Sequence, residues 1–339
     1  MYKVLIIGGT GNISTAMTRV LIERGHEVTL LNRGSRQMRG AQCVVADRSD
    51  RGAFARMVKA LPKFDCVVDM IAYEPEDGRQ LIDCFSGRTR QLIFCSTVDT
   101  HAKPALRYPV NEDSCRAQDT AFDYAYKKGI LEATLEQAAK SGAFQLTILR
   151  PAATYNDHST PLGIAASGLS VMRRLREGQP VIVPGDGTSL WTSTHRDDVG
   201  LAFANAVGNE HAYQNAYNIA GDEALAWTTY YDIVRLALGG PTPEFVFIPS
   251  SLLARIDPSD RAFAWCPLNF RFSNIFDCSS AARDLAFRYT IPWAEGAKRM
   301  VAHWNAQGDI DTATDHLLYD RLIDRYRDLE RLLISGIKT

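Results

Sequence analysis

Short apolar runs rich in β-branched side chains recur along the first 150 residues, at 4–7, 27–31, 43–46, 66–71, 92–95 and 146–149. Between them lie stretches with helical periodicity, at 12–24, 51–61 and 77–85, and Gly25 closes the first of these. Strands alternating with helices imply a parallel sheet covered on both faces, so residues 1–150 are predicted to form an α/β, doubly wound parallel sheet. Its ligand crevice should lie beyond the C-terminal ends of the strands. After Arg150-Pro151 the rhythm becomes irregular, with turns at Val183-Pro184-Gly185-Asp186-Gly187 and Gly239-Gly240-Pro241. Residues 151–339 are expected to form mainly a smaller C-terminal α/β substrate-binding region, with room for returns to the first domain. The last stretch, 314–335, sets Leu318, Leu322, Leu329 and Leu333 at helical spacing, which predicts a surface helix covering the core or, as the alternative, an oligomer contact.

The segment Ile6-Ile7-Gly8-Gly9-Thr10-Gly11-Asn12-Ile13-Ser14 lies between a predicted strand and a predicted helix, the context that a dinucleotide-binding turn requires. Gly8 permits a tight turn, and Gly11 removes a side chain where a pyrophosphate would approach the backbone. The helix that opens at Asn12 and Ile13 offers N–H groups and a favourable dipole to phosphates, with Thr10 beside them. Ser14 replaces the third glycine of the pattern and is expected to hold the helix slightly farther from the strand. The second strand ends in Leu31-Asn32-Arg33-Gly34, where an acidic residue ordinarily takes the ribose hydroxyls. With Asn32 there instead, Arg33 either pairs with the 2′-phosphate of NADP or stacks on adenine in either cofactor. NAD or NADP is undecided at this point. Asp47 is positioned to accept a hydrogen bond from the adenine amino group, and Ile71-Ala72-Tyr73 should run along the nucleotide.

Charge and cysteine usage narrow the partners. The chain carries 38 Lys+Arg against 39 Asp+Glu, which gives no net positive charge to attract nucleic acid. Its seven cysteines are scattered without a CxxC pair or a His/Cys cluster, which argues against a disulfide framework and a zinc site and for reduced thiols in a cytoplasmic protein. The apolar run before Gly8 is too short for a signal segment, and no run is long enough for a membrane span.

Tyr124-Ala125-Tyr126-Lys127-Lys128 opens a further helical run through Glu132, which sets Tyr124 and Lys128 on one helical face. A phenol titrates near pH 10, and a neighbouring ammonium favours the phenolate. Lys128 is therefore expected to lower Tyr124 towards the working pH, where proton exchange with a substrate hydroxyl is efficient. The strand Leu92-Ile93-Phe94-Cys95-Ser96-Thr97 brings hydroxyls to the crevice, and the period of two sends Ser96 and Thr97 to opposite sides. Thr97 is the one expected to hold the substrate oxygen.

With these residues in view, the chain resembles the extended short-chain dehydrogenase/reductases, the NAD-dependent epimerase/dehydratase family. The resemblance rests on Gly8-Gly9-Thr10-Gly11, Ser96-Thr97, Tyr124 to Lys128 and Leu149-Arg150-Pro151. Later motifs continue it: Pro184-Gly185-Asp186-Gly187, His195-Arg196-Asp197-Asp198-Val199, Tyr217-Asn218-Ile219, Ala282-Arg283-Asp284-Leu285 and Pro292-Trp293-Ala294-Glu295-Gly296. It implies a Rossmann fold, a catalytic triad of Thr97, Tyr124 and Lys128, and contact between the backbone around Pro151 and the nicotinamide amide. It also implies a homodimer through the long helices. Family members that dehydrate nucleotide sugars carry an Asp-Glu pair after the hydroxyl residue. Here Val98-Asp99 follows Thr97, so dehydration is disfavoured and Asp99 is read as a substrate contact. The arginine that follows Gly-Asp-Gly in nucleotide-sugar enzymes is replaced by Thr188-Ser189-Leu190-Trp191, which weakens the case for a diphosphate-linked substrate. Trp191, expected to be exposed, is read as a stacking surface for a sugar ring. His195 is read as a hydrogen-bonded structural residue.

The expected function is an NAD(P)-dependent sugar or sugar-derivative epimerase, with a ketoreductase or dehydrogenase as the alternative. Residues 65–73 with Asn32-Arg33-Gly34 are also similar to a branch of the family containing plant chloroplast proteins reported to bind RNA. That adds an RNA-associated, non-enzymatic alternative, which the near-neutral charge disfavours.

Overall fold

The run predicted at 4–7 forms β1 (Lys3–Ile7), and the five that follow form β2 (Glu27–Asn32), β3 (Gln42–Val45), β4 (Phe64–Asp69), β5 (Thr89–Cys95) and β6 (Gln145–Pro151) in a computed structural model of the chain. The structure describes residues 1–163, 167–257, 261–315 and 318–337. Together with the strand Asn215–Ile219 these six form one seven-stranded sheet, in the order Asn215–Ile219, β6, β5, β4, β1, β2, β3. Every pairing in it is parallel.

Period-two alternation divides β1 between two apolar layers. Val4 and Ile6 join Met17 and Leu21 of α1 (Asn12–Glu23) and Val199 and Phe203 of the helix Arg196–Ala206. Leu5 and Ile7 face the other way, into a layer with Phe54 and Val58 of α2 (Arg51–Ala60), Leu81 and Phe85 of α3 (Pro75–Phe85), and Leu131 and Leu135 of α4 (Asp123–Lys140). Local chemistry starts these helices. The Asp50 carboxylate accepts the Ala53 N–H at 2.9 Å, and Pro75 occupies the first turn of α3, where its missing N–H costs no helical bond. Strand order reverses between β1 and β4, so the turn after β1 and the loop after β4 come together at the switch point where doubly wound sheets bind ligands.

The chain divides into two compact units. The first comprises Met1–Thr154, Ser193–Asp222 and Phe276–Thr290, and the second comprises Tyr155–Thr192, Glu223–Ile275 and Ile291–Thr339. In the second, Val181–Pro184 pairs in parallel with Phe245–Ile248, and Leu190–Trp191 pairs antiparallel with Leu225–Ala226. An aromatic cluster fills this unit. Trp191 stacks on Trp227 with ring centroids 5.0 Å apart and meets Phe270 edge-on at 5.2 Å, while Trp293 stacks on Tyr230 at 4.0 Å. The expectation of an exposed Trp191 is thereby corrected, because the ring is only 9% exposed and is engaged in packing.

The final helix runs from Tyr319 to Ile337, and residues 316–317 of the predicted stretch lie outside the described residues. Arg174 fastens its start, reaching Asp315 through Nε at 3.0 Å and Nη2 at 2.9 Å and lying 4.2 Å from the Tyr319 ring centroid. The helix covers the core only through its first half: Tyr319 and Ile323 are buried and Leu318 and Leu322 half-buried, whereas Leu329 and Leu333 are exposed. All seven cysteines are free thiols, and no described helix is long and apolar enough to cross a membrane.

Candidate active site

At the switch point lies a cleft of about 660 Å³ lined by Gly8, Thr10, Gly11, Asn32, Arg33 and Asp47 among others. Gly8 has φ +84°, and a Cβ there would stand 2.5 Å from Ile71 Cγ2. Glycine is thus required both by the left-handed backbone and by the close approach of the β4–α3 loop. Ser14 takes part in the turn itself. It is buried, its Oγ donates to the Gly8 carbonyl at 2.7 Å and accepts the Gly11 N–H at 2.8 Å, and so it locks the turn from inside. A Cβ on Gly11 would meet only the Ser14 hydroxyl at 3.4 Å and the Gly8 carbonyl at 3.9 Å, so the turn is open on that side. Asn12 and Ile13 form the first turn of α1, where N–H groups need an outside acceptor. A cradle of this shape fits a dinucleotide.

At the end of β2, Asn32 folds the following loop around its own amide, accepting the Gly34 N–H at 2.8 Å and donating to the Arg36 carbonyl at 3.3 Å. Arg33, Ser35 and Arg36 line the cleft there. Neither Arg33 nor Arg36 forms an ion pair among the described residues. Asp47 sits on the rim, where hydrogen bonds from the Ser49 N–H and hydroxyl, both 2.8 Å, hold its carboxyl below the usual range, with help from the charge of Arg33.

Ile71, Ala72 and Tyr73 are held by a network that the sequence reading missed. Asp69 accepts the N–H groups of Ile71 at 3.0 Å and Ala72 at 2.7 Å, and Asp77 accepts those of Tyr73 at 2.9 Å and Glu74 at 3.0 Å. Arg48, itself buried, bridges the two carboxylates, and Arg51 reaches Asp77 at 3.1 Å. Burial pushes Asp77 up, but the Glu74 and Tyr73 bonds and the two arginines outweigh it and keep the carboxyl below its ordinary value. The one signal in the sequence was Asp69, a carboxylate that follows the apolar run Cys66-Val67-Val68 at the end of β4.

The predicted triad comes together in the first unit. Thr97 follows β5 and caps a short 3₁₀ turn, Val98–Thr100, while Tyr124 and Lys128 lie on the opening turns of α4. The Tyr124 hydroxyl is hydrogen-bonded to Thr97. Lys128 is buried, and its Nζ donates to the carbonyls of Ala72 and Cys95, both at 2.8 Å, with the Tyr73 ring centroid 4.6 Å away. Lys128 was expected to lower the Tyr124 phenol. Instead, burial and then the charge of Asp99 hold the phenol above its ordinary value. Burial likewise lowers the Lys128 ammonium. Asp99 forms an ion pair with Lys103 at 2.7 Å, a partner the sequence did not suggest.

Behind the triad, α4 is tied to β6. Glu132 is fully buried and accepts from Arg150 Nε at 2.9 Å and Nη2 at 2.8 Å and from Arg116 Nε at 3.0 Å. Pro151 ends β6 in register with Ile219. His195 caps the helix Arg196–Ala206 by accepting the Asp197 N–H at 3.2 Å, which agrees with its structural reading. Thr188, which stands where nucleotide-sugar enzymes carry the clamp arginine, closes a turn on Asp186.

Residues 4–220 match the model of the NAD dependent epimerase/dehydratase family. A 2′-dehydrokanamycin reductase of Streptomyces kanamyceticus is 28% identical over 242 residues, 70% of this chain and 67% of that protein. The chloroplast stem-loop binding protein of 41 kDa b of Arabidopsis thaliana is also 28% identical, over 72% of this chain and 65% of its own length, so the chain matches just under two thirds of that relative. Among solved structures, UDP-glucose 4-epimerase of Thermotoga maritima superposes with a TM-score of 0.71 at 20% identity, covering 90% of this chain and 99% of that one. That likeness shows a shared fold.

Proposed function

The chain belongs to the NAD dependent epimerase/dehydratase family, enzymes of the extended short-chain dehydrogenase/reductase type, and from there we propose that it reduces a ketone on a sugar-like small molecule. The observation that carries this reading is the state of Tyr124. Its hydroxyl is bonded to Thr97 beside the Asp99 carboxylate, and burial and then that charge raise the phenol above its ordinary value, which favours the neutral form. A neutral phenol is a proton donor, which is what a carbonyl oxygen needs as it becomes a hydroxyl.

Gly8, Thr10, Gly11, Asn12 and Ile13 would hold the pyrophosphate, Arg33 and Asp47 the adenosine end, and Ile71, Ala72, Tyr73, Lys128 and Pro151 the remainder of NAD(P). When bound, the nicotinamide supplies the hydride. Thr97 orients the substrate oxygen and Tyr124 protonates it. Lys128, anchored on two carbonyls, fixes the loop after β4 against the end of β5, so that the proton donor faces a constant geometry. Val98 is apolar and buried and offers no acid for an elimination.

Two arginines favour net reduction. An enzyme that returns hydride to its own substrate can keep one cofactor molecule, whereas one that releases an alcohol must take up fresh reductant at each turnover. A site that distinguishes phosphate states serves the second case. Arg33 and Arg36 line the adenosine end with no carboxylate at the end of β2 to repel a 2′-phosphate. NADP is accordingly the expected partner. Arg33→Ala and Arg36→Ala should each weaken NADPH binding by about 10- to 100-fold while leaving NADH within about twofold, measured by fluorescence titration. Equal losses for both cofactors would argue against 2′-phosphate recognition.

The name of the kanamycin relative points to keto derivatives of amino-sugar compounds as the first substrates to try. Stoichiometric loss of NADPH absorbance with such a ketone is the expected result. Epimerisation is the second reading, because the same Thr97, Tyr124 and Lys128 serve hydride transfer in both directions. Interconversion of substrate isomers with no net absorbance change would establish it in place of reduction. RNA affinity that rivals cofactor affinity and falls steeply with salt would instead favour the role suggested by the chloroplast relative.

A further inference from the structure

Thr97 has one hydroxyl proton and two neighbours able to take it. Its Oγ1 accepts the Asp99 N–H at 3.2 Å and donates to Asp99 Oδ2 over a long 3.4 Å, and it is also bonded to the Tyr124 hydroxyl. While the threonine proton points to Asp99, Tyr124 must be the donor in the bond between the two hydroxyls. Tyrosinate needs the reverse arrangement, in which Thr97 turns its proton towards the phenolate and releases the carboxylate. Asp99 therefore opposes the basic form of Tyr124 twice, by its charge and by competing for a proton. Lys103 counteracts both effects. Its Nζ lies 2.7 Å from Asp99 Oδ1, and both side chains are only 11% exposed, so solvent screens the pair weakly.

We propose that Asp99 and Lys103 together govern whether Tyr124 acts as acid or base, with Asp99 holding the proton on the phenol and Lys103 a positioning residue that limits that hold. The proposal rests on Tyr124 being the group that exchanges the proton. Other groups around Tyr124 come from every packed element. Cys95 lies at the end of β5 and Tyr73 on the loop after β4, with its ring 6.5 Å away; Phe122 precedes the helix, with its ring 6.2 Å away, and Lys128 lies one turn along α4. Of these, Lys128 is the cation, and it is fastened to two carbonyls. Lys103 is thus the second cation of the site, acting through Asp99.

The test is an ultraviolet titration of tyrosinate in the full-length protein, alone and saturated with NAD+ or NADP+. The Tyr124 component is isolated by subtracting the Tyr124→Phe curve. Asp99→Asn should lower the Tyr124 midpoint by about one to three pH units, and Lys103→Met should move it the opposite way. Lys103→Arg should stay within about half a pH unit of the parent, and the double variant Asp99→Asn with Lys103→Met should follow Asp99→Asn. A Tyr124 component as high in Asp99→Asn as in the parent overturns the proposal, as does a lower midpoint in Lys103→Met. Circular dichroism at each pH reports unfolding, and should Lys103→Met unfold, Asp99→Asn decides alone. Failure of the underlying assignment is a separate result, seen as turnover that survives Tyr124→Phe.

Discussion

Tyr124→Phe should lower turnover by about a hundredfold to ten-thousandfold while changing NAD(P) affinity by no more than about threefold. The substitution removes one hydroxyl and leaves the ring, so the aromatic neighbours Tyr73 and Phe122 keep their packing. What is lost is the bond to Thr97 and the proton that the substrate oxygen would take. The check pairs steady-state rates on an identified ketone with a fluorescence titration of cofactor into the same preparation. A variant that retains more than a tenth of the parent rate would show that another group moves the proton. A variant that loses cofactor binding in parallel would show that the phenol is chiefly a binding group.

Glu132→Ala should cost about 3–5 kcal/mol of stability, the usual penalty for leaving one partner of a buried ion pair behind. The Arg150 side chain is only 3% exposed and places both Nε and Nη2 on Glu132, and Arg116 adds a third bond. Without the carboxylate two guanidinium groups repel each other beside β6, and α4, which carries Tyr124 and Lys128, loses its ion-pair tie to β6. Denaturant unfolding measures the loss, and a cost below about 1 kcal/mol would contradict the role assigned to the network. Acid provides a second measure. Burial pushes the Glu132 carboxyl up, but the bonds and charge of Arg150, with the charge of Arg116, more than reverse this and hold it below its ordinary value. Its contribution is therefore complete above the unfolded value of 4.5 and disappears as the pH falls through the lower folded value. Glu132→Gln, which cannot titrate, should flatten that part of the stability profile.

The features legible in the sequence were local ones. Parallel strands leave short apolar runs, which is why all six strands from β1 to β6 could be located from the order of residues along the chain. Gly8, Gly11 and Thr97 lie at the ends of strands, and Tyr124 and Lys128 are one helical turn apart, so a short motif carries each of them. The illegible features were partnerships made by topology. Arg48 meets Asp69 and Asp77 only because β3 and β4 end at the same crevice, and Glu132 meets Arg150 only because α4 lies against β6. Trp191 looked like a loop residue, and its partners Trp227 and Phe270 are distant in sequence. The direction of the Tyr124 shift was illegible for the same reason: the spacing to Lys128 is visible in the sequence, but the burial of the phenol and the carboxylate of Asp99 beside it are not.

The strand Asn215–Ile219 lies beside β6 and completes the sheet, although the chain makes a long excursion between the two. On the ribosome, β6 is therefore finished well before its neighbour exists. It presents unpaired backbone groups for roughly 70 further residues of synthesis, about 4–14 s at ordinary elongation rates. Leu285 and Phe287, which fill the same apolar layer as Val4 and Ile6, arrive later still. Nascent chains of this protein thus pass through an interval with an open sheet edge and an underfilled core, the form in which strand edges are most exposed to mispairing.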